Sequence, residues 1–277
     1  MASNNKLREG LEKRIQARID KLKTRQAYYC FTTHIAQPQQ DKELDKSMIL
    51  QSLKKIENNI PNIKNLIKSV RKFIPHIWDQ TQISAAYLLV GKAFSNLETA
   101  LVLAKIGHHL EIVELVRSGH ESTDLAFLFL EDNEGKYFKK WFKGKIIENA
   151  KAREGFQKAI NREGTDNSIK SYYNLSVEDT KRDVYGLYSL YTHSSYAALL
   201  DAIDVFHEDY DFNRNAGFHH TAMNLHIIES LAINILLSIR SVFIKCQDLD
   251  SDLEAVNLLK AVGHSNMSKE GINENLK

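Results

Sequence analysis

Cysteine is nearly absent: Cys30 and Cys246 are the two thiols in 277 residues. Two cysteines make neither a metal-ligand pattern nor a disulfide framework. A disulfide-stapled secreted domain is excluded, and a reducing, cytoplasmic setting is expected. Proline (3) and glycine (12) are also scarce. With so few chain breakers, long helices are favoured over many short strands. No Gly-rich phosphate loop, nucleophile elbow or Cys ligand set occurs, so the standard signatures of nucleotide binding and of Ser/Cys hydrolysis are missing. The opening MASNNKLREG has no apolar signal core, and no run approaches ~18 apolar residues free of charge. No membrane association is expected.

What is present is a large apolar fraction, 43%, and a net charge of +2 that hides strong segregation. Residues 1–80 hold 16 Lys/Arg against 8 Asp/Glu, and residues 136–182 hold 12 against 6. Residues 81–135 hold 3 against 8, and residues 201–277 hold 6 against 12. The basic segments suit phosphates, or they complement the acidic segments of the same chain or of a second copy.

Hydrophobic spacing gives helices throughout. Leu7, Leu11, Ile15, Ile19 and Leu22 mark a charged amphipathic helix over 5–36, broken at QPQQDKELD. Ile49, Leu53, Ile56, Ile60, Ile63, Ile67, Val70, Ile74 and Ile77 then alternate steps of four and three. That is a heptad seam, packing either on the first helix as a hairpin or on a partner protein. Pro61 should kink or split it after Asn59, and Pro75 should end it. Residues 82–106 are apolar on nearly every side and predict a buried core helix. A basic, weakly periodic stretch over 136–180 follows, anchored by Trp141 and Phe142. Helices are expected over 178–207 and 214–246, with a frayed polar tail from Gly263. The expected organisation is all-α: a basic N-terminal helical hairpin (1–80), a long-helix bundle core (81–262) and a flexible tail (263–277).

Three constellations could carry chemistry. In EIVELVRSGHESTDLAFLFL, residues 111–130, Arg117, His120, Glu121 and Asp124 fall at i, i+3, i+4 and i+7 on one helical face. Gly119, Ser122 and Ala126 lie roughly opposite and admit a close helix. Tyr185, Tyr188, Ser189, Thr192, His193 and Tyr196 line one face of the 178–207 helix. Together the two faces make either a register-fixing polar network, in which buried charges must be paired, or a cleft that binds an anion and moves a proton. The second constellation is Arg214-Asn215-Ala-Gly-Phe-His219, which sets a guanidinium and an imidazole one turn apart if that turn is helical. The third, His219, His226, Glu229 and His193, lacks the i, i+4 His pair that helical zinc sites favour. No metal and no cofactor are assigned.

Arg117-x-x-x-Glu121 followed by Tyr188-Ser189-x-x-x-His193-x-Ser195 resembles an uncharacterised group of bacterial all-helical proteins with "LR-x-x-x-E" and "Y-x-x-S-x-x-x-H-x-S" helices, over roughly residues 80–245. More widely, the chain resembles HEPN-like helical bundles. In those, an R-x4-H motif at the start of a late helix meets its copy across a dimer, and Arg214, Asn215 and His219 match that motif. The resemblance implies a metal-independent RNA-cleaving or RNA-binding protein of bacterial defence or toxin type, acting as a homodimer. It nominates Arg214 or Arg117 as the phosphate holder and His219 or His193 as acid/base. Glu121 joins that set, with His120, Asp124, Tyr188, Ser189 and Asn215 as substrate contacts. The reading set against it is a non-enzymatic interaction module that recruits a protein through the 49–77 seam, or a small-anion or nucleotide sensor at Arg117 and His193.

Overall fold

The computed structural model describes residues 39–163 apart from Ile77 and Gly107, the pairs 203–204 and 209–210, and residues 218–263. The expected helix over 5–36, the Tyr188/Ser189/His193 face, Arg214, Asn215 and the polar tail beyond Gly263 lie outside them. Seven helices are present among the described residues: α1 (Gln39–Ser69), α2 (Gln82–Lys105), α3 (His109–Glu131), α4 (Lys136–Phe142), α5 (Asn149–Glu163), α6 (Phe218–Cys246) and α7 (Leu249–Gly263). The fold is all-α. Ile203–Asp204, read from sequence as the end of a helix, instead pairs antiparallel with Asp209–Tyr210 over two residues. Ile203 and Tyr210 stand opposite each other in that pair, and both are strand-favouring types.

Pro61 does not split α1, which runs unbroken through it for 31 residues. The missing N–H and the ring clash cost roughly 3 kcal/mol. Pro61 is exposed, so the carbonyl it leaves free can turn to water. Around it Ile56, Ile63, Leu66 and Ile67 are buried, each contributing roughly 1.5–3 kcal/mol, which outweighs the loss. A 3-10 turn, Val70–Phe73, follows, and Ile74 is extended at φ −120° and ψ 103°. That is the conformation Pro75 imposes on the residue before it. Expected as a hairpin with the first helix or as a docking face, the seam is covered from within: Leu53, Ile56, Ile63, Ile67, Val70 and Ile74 are buried, and α1 packs on α2, α6 and α7.

Thr81 and Ser84 form a reciprocal capping box that starts α2. The helix turns one face inward through Ala85, Ala86, Leu89, Ala93, Leu97, Ala100 and Ala104. Contrary to the expected all-round burial, Val102 is exposed and so is Lys92. Lys64–Glu98 and Glu57–Lys105 ion pairs show α1 and α2 running antiparallel. Gln82, at the start of α2, donates to the Asp132 carbonyl just after α3, so α2 and α3 are antiparallel as well.

The central element is α6. Leu225, Ile228, Leu231, Ala232, Ile235, Leu236, Ile239, Val242 and Phe243 are buried on contacts with α1, α2, α3 and α7. Ile227–Cys246 is long and apolar enough to cross a membrane by length and composition alone, yet 78% of that window is buried inside the protein. It is packed as a core helix. Gln247 then adopts φ +58°. Its N–H donates to Ile244 O, and Asp248 N–H donates to Phe243 O. This is the left-handed helix ending usually given to glycine, and it folds α7 back along α6.

Candidate functional site

Helix α3 carries the polar island, and its neighbours divide the island in two. Gly119 faces α6 so closely that a Cβ there would stand 2.7 Å from Leu231 Cδ1. One residue on, His120 Nδ1 lies 2.7 Å from Asn234 Nδ2 of α6, both side chains buried. With the Asn234 amide NH2 as donor, His120 Nδ1 is the acceptor of this contact. Asp124, one turn further along the same face, is also buried, as are Thr123 and Ser122. Thr123 Oγ1 donates to His120 O, and Ser122 Oγ to Ser118 O. Asn234, Ser238 and Ser241 form a buried polar line along α6. Ser238 Oγ donates to Asn234 O at 2.8 Å.

The other half opens toward α5. Arg117 Nε donates to Glu121 Oε1 at 3.0 Å, and the two side chains keep 19% and 29% of their exposure. Asn149 Nδ2, at the start of α5, donates to the same oxygen at 3.0 Å. The guanidinium therefore already holds a carboxylate partner, and water reaches both. Further along, Gly155 lies directly on the α3 backbone: a Cβ there would be 2.3 Å from Leu128 Cα. Phe127 and Phe156 close the interface edge-to-face at 5.0 Å.

The four island residues do share a face, as their spacing predicts, but they do not line one site. Sequence reading missed both cross-helix partners, Asn149 and Asn234. Asn234 had a usable signal, an amide inside the apolar run Leu231-Ala-Ile-Asn-Ile-Leu-Leu. Asn149 had none.

Of the second constellation, His219 falls in the first turn of α6, which begins at Phe218. Fifteen residues separate His219 from Asn234, about 22 Å along the helix axis. The start of α6 and the buried His120–Asn234 contact are thus two separate places. Glu229 is buried on α6, and among the described residues no three His, Cys, Asp or Glu side chains gather as a metal site.

A third surface bears on polyanions. Lys136, Lys139, Lys140, Lys143 and Lys145 are all exposed on α4 and the turn after it. The Asp132 carboxylate accepts from Tyr137 N–H and caps the helix start, while buried Phe138 and the ring contact of Trp141 with Phe129 at 5.6 Å seat it on the core.

Searches against protein-family models, curated proteins and solved structures returned no match for this chain.

Proposed function

We propose that the chain is a HEPN-like protein acting on RNA, with its chemistry at the start of α6 and not at the polar island of α3. The observation that supports this reading is the position of His219 in the first turn of a late, long helix, five residues after Arg214 in the sequence. The island argues for packing instead: His120 meets Asn234, and Arg117 is paired with Glu121. On this reading Arg214 neutralises the scissile phosphate and His219 acts as general base on the ribose 2′-hydroxyl. The 2′-oxygen bonds to phosphorus and the bond from phosphorus to the 5′-oxygen breaks. The 5′-oxygen takes a proton from the second histidine of a homodimer. The products are a 2′,3′-cyclic phosphate and a 5′-hydroxyl, formed without metal.

The test is incubation of the purified protein with total RNA in EDTA, beside Arg214→Ala, His219→Ala and His193→Ala. Cyclic-phosphate ends should accumulate with the wild type and fall by about a hundredfold or more, the scale of lost acid–base catalysis, in Arg214→Ala and His219→Ala. RNA left intact with and without added metal overturns the reading. Loss of cleavage in His193→Ala alone moves the chemistry to the Tyr188/Ser189 helix.

A second reading, a non-enzymatic interaction module, is favoured by the exposed apolar side chains Trp78, Leu249 and Leu253. It predicts a partner over those residues, since the seam residues Leu53, Ile56, Ile63, Ile67, Val70 and Ile74 are buried. Trp78→Ser with Leu253→Ser would then abolish capture of that partner and leave RNA untouched.

A further inference from the structure

We infer that the exposed lysine face of α4 and its closing turn is a docking surface for the phosphate backbone of single-stranded RNA. Lys136, Lys139, Lys140 and Lys143 fall at i, i+3, i+4 and i+7, an arc of about 100° on one side of the helix. The turn extends the stripe. Gly144 takes φ +72° and donates its N–H to Trp141 O at 2.8 Å, while Lys145 N–H donates to Lys140 O at 3.1 Å. This left-handed ending needs glycine, and it folds Lys145 back beside the end of the stripe instead of away from it.

Among the described residues this charge meets rings and no carboxylate: Lys136 Nζ lies 5.7 Å from the Tyr137 ring centroid and Lys139 Nζ 5.9 Å from that of Phe138. Four exposed lysines elsewhere are tied to carboxylates: Lys64 to Glu98, Lys72 to Asp248, Lys105 to Glu57 and Lys151 to Glu154. Among the described residues none of the five lysines of this face has such an ion pair. Five cations on one small surface repel one another unless an anion of repeating charge lies across them.

Phosphodiester chain fits better than a lipid surface. The apolar side chains that would enter a bilayer point inward: Phe138 is buried and Trp141 packs on Phe129. Only Ile146 stands fully out. Tyr137 and Trp141 flank the stripe half-buried, and the ring surface each leaves exposed can take an unstacked base. The choice of RNA among phosphate polymers rests on the function proposed above.

The experiment is fluorescence anisotropy of the full chain with a short labelled uridine-rich RNA, in EDTA, from about 50 to about 200 mM salt. Five neutralised phosphates at about 0.7 released counterions each give a log–log slope near −3.5, about a hundredfold loss of affinity over that range. Lys139→Glu/Lys140→Glu/Lys143→Glu should shallow the slope by about 2 and weaken binding at least tenfold, with the wild-type melting temperature. Equal binding and slope in wild type and variant overturn the proposal. So does binding to phosphatidylserine vesicles in the absence of RNA binding. RNA bound through these lysines but never cut sinks the cleavage reading alone. RNA cut and bound equally well by the triple variant sinks the docking surface alone.

Discussion

Helix α3 meets two neighbours in the same manner and to different effect. Against α6 and against α5 alike, the approach uses one glycine, Gly119 on α3 for the first and Gly155 on α5 for the second. Each contact also carries one amide reaching across, Asn234 to His120 and Asn149 to Glu121. The α6 side shuts water out of its polar contact, whereas the α5 side leaves its contact wet. A polar group with no access to water must be satisfied by protein or its full desolvation cost remains. A half-exposed ion pair has water as a substitute and is worth little. The His120–Asn234 contact and the Arg117–Glu121 pair, both set on one helix, therefore carry different energetic weight.

The contrast can be broken by substitution. The largest effect is expected at Gly155, where an added Cβ meets the Leu128 backbone at 2.3 Å and no rotamer can relieve it. Gly155→Ala should destabilise by about 3 kcal/mol or more, measured by urea denaturation. A loss under about 1 kcal/mol would mean α5 is free to lift off α3. Next comes His120→Ala, which takes the buried imidazole contact from the Asn234 amide and empties ring volume in the core, at about 2–4 kcal/mol. The same unfolding curves decide it, and recovery of most of that loss in His120→Ala/Asn234→Leu would show the lost amide contact to be its source. Gly119→Ala should cost about 1–2 kcal/mol, less than Gly155→Ala because the obstacle is the end of the Leu231 side chain, which can turn.

Glu121→Ala should cost only about 0.5–1 kcal/mol, since Arg117 and Asn149 regain water. If it equalled His120→Ala, the two halves of the island would not differ as described. The smallest effect concerns a surface clasp between the 3-10 turn that follows α1 and the residue that precedes α7. Lys72 Nζ sits 2.6 Å from Asp248 Oδ2, and its hydrogen bond holds the Asp248 carboxyl below the usual aspartate range. A lowered carboxylate pKa stabilises the fold above the ordinary value and loses that effect as pH falls through the lowered one. The melting temperature of Lys72→Met should thus lie slightly below wild type at neutral pH. The gap should close progressively below about pH 4; a gap unchanged at low pH would assign it to packing.

Much of this was legible in the residues. The scarcity of proline and glycine, the 4–3 spacing of Leu53 through Ile74 and the apolar runs around residues 90 and 235 specify long helices, because local periodicity decides which backbone form can bury an apolar face. The spacing of Arg117, His120, Glu121 and Asp124 placed them on one face. A lysine stripe at 136, 139, 140 and 143 was equally visible in the spacing, although the stretch reads as weakly periodic when only its apolar residues are followed.

Other features depend on residues distant in the chain. Continuation of α1 through Pro61 required knowing that Ile56, Ile63 and Ile67 would be covered by α2, α6 and α7, since a local penalty yields only to burial supplied from elsewhere. The division of the island required α6 to run along one side of α3, and α5 to lie beside Glu121. Sequence alone determined the helices and the faces they would present, because a helix is a local hydrogen-bonded object. Tertiary structure decided which polar residues lose water, because burial belongs to the pair of surfaces that meet and not to either one alone.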